Sequence, residues 1–117
     1  MTLRERQSAF TSLVARLILF GELQGYAFTF GEAYRSPEEA TRLAAEGKVK
    51  AIRKSLHCDR LAIDLNLFKD GIWLTKSEDY TPLGEWWEAQ STVDFECAWG
   101  GRFEDGNHFS AAFQGRK

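Results

Sequence analysis

Leu61-Ala62-Ile63-Asp64-Leu65-Asn66-Leu67-Phe68, followed by Lys69-Asp70-Gly71 and Ile72-Trp73-Leu74, is the stretch whose reading decides the fold. It reads as a strand, a tight turn and a partner strand. With a period of two, Ile63, Leu65 and Leu67 take an apolar face, while Ala62, Asp64 and Asn66 share the other. A carboxylate in mid-strand between apolar neighbours costs stability unless something pairs with it. A metal ion would satisfy it.

Working outward toward the N-terminus, Phe10, Leu13, Val14, Leu17, Ile18 and Leu23 recur at helical spacing from about Thr2 to Leu23, with Arg4, Arg6, Arg16 and Glu22 on much of the other face. This predicts an amphipathic core helix, ended by Gly25 and followed by a strand over Tyr26-Ala27-Phe28-Thr29-Phe30. Ser36-Pro37-Glu38-Glu39 is a helix start, with Ser36 as cap, Pro37 in the first turn and Glu39 completing a capping box. That helix runs to about Glu46 and stops at Gly47. Arg35 therefore stands just before a helix N-terminus.

Working outward toward the C-terminus, Thr81-Pro82 begins a short helix that offers Leu83, Trp86 and Trp87 for packing. Trp99-Gly100-Gly101 and Asp105-Gly106-Asn107 read as tight turns, and Phe109 to Phe113 as a final strand. The order helix, strand, helix, strands, helix, strand predicts an α+β fold with a small, largely antiparallel sheet packed with helices, residues 1–117 forming one domain.

Composition limits the function classes. The 117 residues are 44% hydrophobic with sixteen aromatics, enough for a packed core rather than a disordered chain. A net charge of −2 with mixed signs throughout lacks the electrostatic footprint of a nucleic-acid binder. One basic excess, Lys48, Lys50, Arg53, Lys54 and Arg60, surrounds His57; it reads either as a solvated face or as attraction for an anionic substrate. The two cysteines, Cys58 and Cys97, form no CxxC pair and no disulfide framework, and read as reduced, buried residues. Cys58 adjoins His57, but neighbours along an extended segment point to opposite sides, which argues against joint ligation. The mixed-charge N-terminus and the lack of a long apolar run predict no signal peptide and no membrane insertion, hence synthesis in the cytoplasm.

The only two histidines each have a carboxylate at short range: Asp64 seven residues after His57, Asp105 three before His108. Two imidazoles and a carboxylate, with a fourth position left to water, make a catalytic zinc site, and a spare carboxylate beside that water supplies a general base. No His-Glu-x-x-His helix is present, so such a site must be assembled from separate segments.

Tyr34-Arg35-Ser36, Ser55-x-His57-x6-Asp64 and Trp99-Gly100-Gly101…Asp105-x-x-His108-Phe109 together resemble the zinc D-alanyl-D-alanine carboxypeptidase family, which includes phage L-alanyl-D-glutamate endopeptidases and D,D-dipeptidases. The stretch Pro82-Leu83-Gly84-Glu85-Trp86-Trp87-Glu88 is similar to the compact single-domain phage endolysins. The resemblance implies a Hedgehog/D,D-peptidase-like fold and one zinc ion held by His57, Asp64 and His108. It further implies Asp105 as catalytic acid and base, Arg35 as the group that steadies the substrate carbonyl and developing oxyanion, and Ser55 as a substrate contact. Arg60 stands where many members have glycine, and Ser110 where an acidic residue is common. Arg35 also has Glu32, Glu38 and Glu39 nearby as salt-bridge partners.

The function this implies is hydrolysis of the peptidoglycan stem peptide between L-alanine and D-glutamate by a monomeric phage endolysin, made in the host cytoplasm and acting on the wall after release. Two rivals stand beside it: a D-alanyl-D-alanine carboxypeptidase, and a domain that binds zinc and wall peptide without turnover.

Overall fold

Strand β2 (Ala62–Lys69) is the axis of the molecule, because every neighbouring strand except one pairs with it. In the computed structural model, which describes residues 1–47 and 55–117, the chain forms a small α+β structure with an antiparallel sheet and three helices. Four of the five basic residues singled out around His57, from Lys48 to Lys54, lie outside the described residues. β1 (Tyr26–Phe30) pairs with β2 from Tyr26↔Lys69 to Phe30↔Leu65. β3 (Ile72–Leu74) closes a hairpin on β2 through Asp70 and Gly71, whose φ values of 52° and 77° are those an Asp-Gly hairpin turn requires. β5 (His108–Ala111) pairs with the first part of β2, and β4 (Cys97–Trp99) pairs with β5.

Period-two alternation sorts the sheet as expected. Leu65 and Leu67 are fully buried, together with Phe109 of β5, against α1 (Leu3–Leu23) and α3 (Thr81–Ala89). Trp87 of α3 is the centre of this layer. It meets Phe10 of α1 and Phe109 edge-on at centroid distances of 5.7 and 5.9 Å, and its indole N–H donates to the Ser110 carbonyl at 3.0 Å. Full burial of side chains this size contributes about 1.5–3 kcal/mol each. α1 starts on a reciprocal cap, Thr2 with Glu5, and no described helix is long and apolar enough to cross a membrane.

Four local expectations need correction. The C-terminal region holds two strands, not one, and the last runs over His108–Ala111 rather than Phe109 to Phe113. Residues 113 and 116 instead close a turn through an isolated bridge. α2 (Pro37–Ala45) has only half of its capping box: Ser36 Oγ accepts from Glu39 N at 3.0 Å, but the Glu39 carboxylate turns to Arg42. His57 and Cys58 lie in a 3-10 turn, Leu56–Asp59, and not in an extended segment.

The Trp-Gly-Gly run owes its residue types to one ring. Trp99 is buried, and its indole N–H donates to the Gly106 carbonyl at 2.7 Å. The backbones at Gly84 and Gly101 press against the indole so closely that a Cβ would fall 2.0 and 2.1 Å from its carbons. The ring thus ties α3 to the loop from Gly100 to Asn107. Held by packing and by its hydrogen bond, Trp99 has no room to yield. Gly84→Ala is therefore expected to destabilise the fold by about 1–3 kcal/mol, read as a lower urea midpoint at unchanged m-value.

Candidate metal centre

β2 and β5 bring the first two donors together directly. Asp64 and His108 are opposite one another in the antiparallel register, so their side chains rise from the same face of the sheet. His57 arrives from the 3-10 turn, whose start is capped by Ser55: the buried Ser55 hydroxyl accepts from His57 N at 3.1 Å. Ser55 thus supports His57 from below.

A strap from Gly31 to Arg35 fixes two of the three donors through backbone groups. Gly31 N donates to Asp64 O at 2.7 Å and Asp64 N to Glu32 O at 2.8 Å. Arg35 N donates to His57 O at 3.2 Å, and His57 Nδ1 lies 3.2 Å from Ala33 O. As donor to that carbonyl, Nδ1 carries the proton and leaves the Nε2 lone pair facing Asp64, the tautomer a metal ligand needs. A Cβ at Gly31 would come within 2.9 Å of the Asp64 carbonyl oxygen, so glycine lets the strap lie this close.

His57 Nε2 and His108 Nδ1 stand 3.3 and 3.4 Å from Asp64 Oδ1. Yet Oδ1, buried, accepts a hydrogen bond from neither ring, and His108 Nε2 is likewise buried without a partner. Close donor atoms that face one another without bonding are what a shared cation produces. Bonds of about 2.0–2.1 Å in tetrahedral geometry separate ligand atoms by about 3.3 Å. The residues present therefore fit a metal ion. Among the described residues, these three form the group able to hold one; Cys58 and Asp105 do not join it. Cys58 is excluded as expected, but by the 3-10 turn rather than by alternation along a strand. Nor does Asp64 lean on Ser55 or Asn66, whose side chains serve the His57 backbone and Thr29.

The remaining candidates flank this triad. Asp105 is held through its backbone, its N–H donating to Gly100 O at 2.8 Å and its carbonyl accepting from His108 N at 3.0 Å. The turn is tight enough that a Cβ on Gly100 would sit 2.2 Å from Asp105 O. The half-buried Asp105 carboxylate has no protein partner among the described residues. Arg35, mostly buried, resolves its choice of partners in favour of Glu32: Nε donates to Glu32 Oε1 at 2.5 Å, leaving its terminal amino groups without a partner among the described residues. Glu32 emerges as a functional candidate only through that contact. Arg60, at φ 57°, ends the 3-10 turn in the left-handed region, which accounts for glycine at this position in the family it resembles. Here the guanidinium rests on the Tyr34 ring at 4.2 Å.

The charges in the triad are coupled. Burial works to raise the Asp64 pKa, but the His108 and His57 imidazoles overcome it and hold the carboxyl down at about 2. Burial works to lower the His57 pKa, but Asp64 and the Ala33 carbonyl outweigh it and leave it raised above 6.5. The depressed Asp64 pKa adds stability above its ordinary value of 3.8 that is lost as pH falls toward about 2. The raised His57 pKa adds stability below 6.5 that is lost as pH rises through its folded value. In chelator, the metal-free protein is thus expected to draw most from this pair between about pH 4 and 6.5. Asp64→Asn should flatten that part of the pH–stability curve in urea melts.

Comparison with known proteins adds the family. No curated protein matches the chain. Among solved structures it is similar to the crystal structure of the Serratia marcescens L-Ala D-Glu endopeptidase ChiX, at 18% identity and a TM-score of 0.64, over 95% of this chain and 86% of that one. At this identity the likeness is one of fold, and it agrees with the α+β architecture expected from the sequence. The model of the family described as D-alanyl-D-alanine carboxypeptidase matches residues 49–111, a span that contains His57, Asp64, Asp105 and His108. With more than half of its length matched, the chain belongs to that family of peptidases.

Proposed function

We propose that the protein is a zinc-dependent peptidase that cuts the stem peptide of bacterial peptidoglycan between L-alanine and D-glutamate, as a phage lysis enzyme. The observation that carries the reading is the convergence of His57, Asp64 and His108, each offering a ligand atom within 4.8 Å of the others, beside an unpaired carboxylate at Asp105. The choice of bond is supported by a fold shared along nearly the whole chain with an L-Ala D-Glu endopeptidase. The lysis role is supported by the resemblance to compact phage endolysins. In that role the chain is made in the host cytoplasm and reaches the wall after release.

When bound, zinc supplies Lewis-acid polarisation and acidification of water at a position left free by three protein donors. The chain's own residues do the rest. Asp105 takes the proton of the attacking water and returns it to the departing amine nitrogen of D-glutamate. The free terminal amino groups of Arg35 stabilise the negative charge that develops on the alanyl carbonyl oxygen. Glu32, bonded to Arg35 Nε, keeps the guanidinium turned to that task, and Ser55 positions His57. One rival follows from the family description: release of a terminal D-alanine. It needs a cation for the terminal carboxylate; among the described residues Arg102 is paired with Glu88, and the free amino groups of Arg35 are the ones assigned above to the carbonyl oxygen.

Mass spectrometry of peptidoglycan digested by the zinc-loaded protein tests the reading. Stem peptides beginning at D-glutamate are expected; loss of D-alanine alone would give the protein to the rival. A chelator should abolish release and zinc restore it. Asp105→Ala is expected to reduce kcat by about 10²–10⁴-fold while zinc content, measured by atomic absorption, stays at one ion per chain. Arg35→Ala should cost about 10²–10³-fold in kcat. Glu32→Gln should cost less, about tenfold and in kcat rather than KM, with zinc again retained; an unchanged kcat would remove Glu32 from the mechanism.

A further inference from the structure

From Asp105 the sheet opens into a cavity of about 280 Å³ whose remaining lining has no part in the peptidase chemistry above. Its wall is Trp73 of β3. Phe68 and Trp73 are opposite one another in the β2–β3 pair, and residues 64, 66 and 68 alternate onto one face, so Trp73 stands on the same face as Asp64. Trp73 is 59% exposed, on a three-residue edge strand where it adds little to the core. A large flat apolar ring left open beside a reaction centre points to a ligand.

The polar groups around it narrow the class. Asn66 donates to Thr29 Oγ1 and keeps its own carbonyl oxygen free, while the Asn107 amide has no partner among the described residues. Glu104 and Asp105 also line the cavity, and among the described residues no lysine or arginine does. Two carboxylates without a cation repel the anionic parts of a stem peptide: the D-glutamate carboxylate and any terminal carboxylate. A neutral, hydrogen-bonding group with a flat apolar face remains, and the amino sugar to which the first L-alanine is attached has that character. The volume is just below the range of about 300–1,000 Å³ typical of ligand pockets, room for one sugar ring rather than two. Reach agrees as well: the lactyl and alanyl units between ring and scissile bond span about 7 Å at about 3.5 Å each, and Asp105 belongs to both the cavity and the reaction centre.

We propose that this cavity is a glycan subsite, in which Trp73 stacks on the N-acetylmuramoyl ring of a stem peptide still joined to its sugar, and Asn66 and Asn107 bond the ring's acetamido and hydroxyl groups. This rests on the peptidase reading above, and it makes the wall-attached stem the preferred substrate over peptide already freed from glycan.

Two measurements on the zinc-loaded full chain test it. The first compares kcat/KM on an N-acetylmuramoyl stem peptide with that on the same peptide N-acetylated at L-alanine. The wild type is expected to prefer the sugar-bearing substrate by about 5–10-fold, and Trp73→Ala to bring the ratio near one. The second follows the indole N–H resonances while N-acetylmuramoyl-L-alanine, which has no bond to cut, is titrated in; the resonance absent from Trp73→Phe should shift. Equal cleavage of both substrates with no shift at Trp73 overturns the subsite and leaves the peptidase reading intact. A shift at Trp73 without cleavage of either substrate upholds the subsite and sinks the peptidase reading. A shift produced only by a sugar-free peptide carrying a free side-chain amine overturns the proposal and gives the cavity to a cationic residue instead.

Discussion

A carboxylate on the central strand is the constraint around which this molecule is arranged. Asp64 sits between Ile63 and Leu65, where β2 has β5 on one edge and the Gly31–Arg35 strap on the other, and an ionised group there forfeits hydration that must be replaced. Both of its backbone groups are taken by the strap, and its side chain is faced by two imidazoles. Each compensation positions something. Pairing β5 to β2 sets His108 opposite Asp64; drawing the strap against β2 carries Ala33 to His57 and Arg35 to the rim. One charge whose lost hydration must be replaced thereby aligns three segments distant in sequence.

Rigidity on the other side of the site comes from apolar packing. The segment from Gly100 to Asn107 opens on a short 3-10 turn, Gly100–Phe103; Trp99 anchors it by a hydrogen bond to Gly106 and by contact with Gly101, and Ser77 Oγ accepts from Gly106 N at 2.9 Å. The Asp105 carboxylate projects from this loop while its backbone is locked to Gly100 and His108. For the proton transfer proposed for Asp105, a displacement of about an ångström would forfeit much of the effect. Four glycines at close approaches on this side, Gly84, Gly100, Gly101 and Gly106, are what make such close anchoring possible.

The sequence disclosed those parts of this arrangement that depend on side-chain type. The alternation in β2, the helices with their Pro and Gly punctuation and the shared face of Asp64 were all legible, because each leaves a period or a turn residue behind. Histidine and carboxylate spacing pointed to a metal site, and the family resemblance chose Asp64 over Asp105 as its third donor. The strap was not legible: its bonds are made by backbone amides and carbonyls, which any residue provides. β4 escaped because Cys97-Ala98-Trp99 is too short to show a period and becomes a strand only by pairing with β5. The 3-10 turn under His57 was missed because Ser55 caps four residues that have no helical pattern. Glu32, one of three acidic residues near Arg35, could not be singled out until the strap brought it there.

The division of labour between strand and loop has a physical logic. Groups that must hold a fixed mutual distance, the three donors, are tied to β2 directly, through β5 or through the strap, where ladder and backbone bonds restrain them together. The groups proposed to meet a substrate, Asp105 and Arg35, stand on connecting segments whose backbones are bonded to the donors themselves: Asp105 O to His108 N, Arg35 N to His57 O. A displacement of either donor therefore moves its attendant group with it. The site thus behaves as one unit, because the same backbone bonds that place the donors also place the groups beside them.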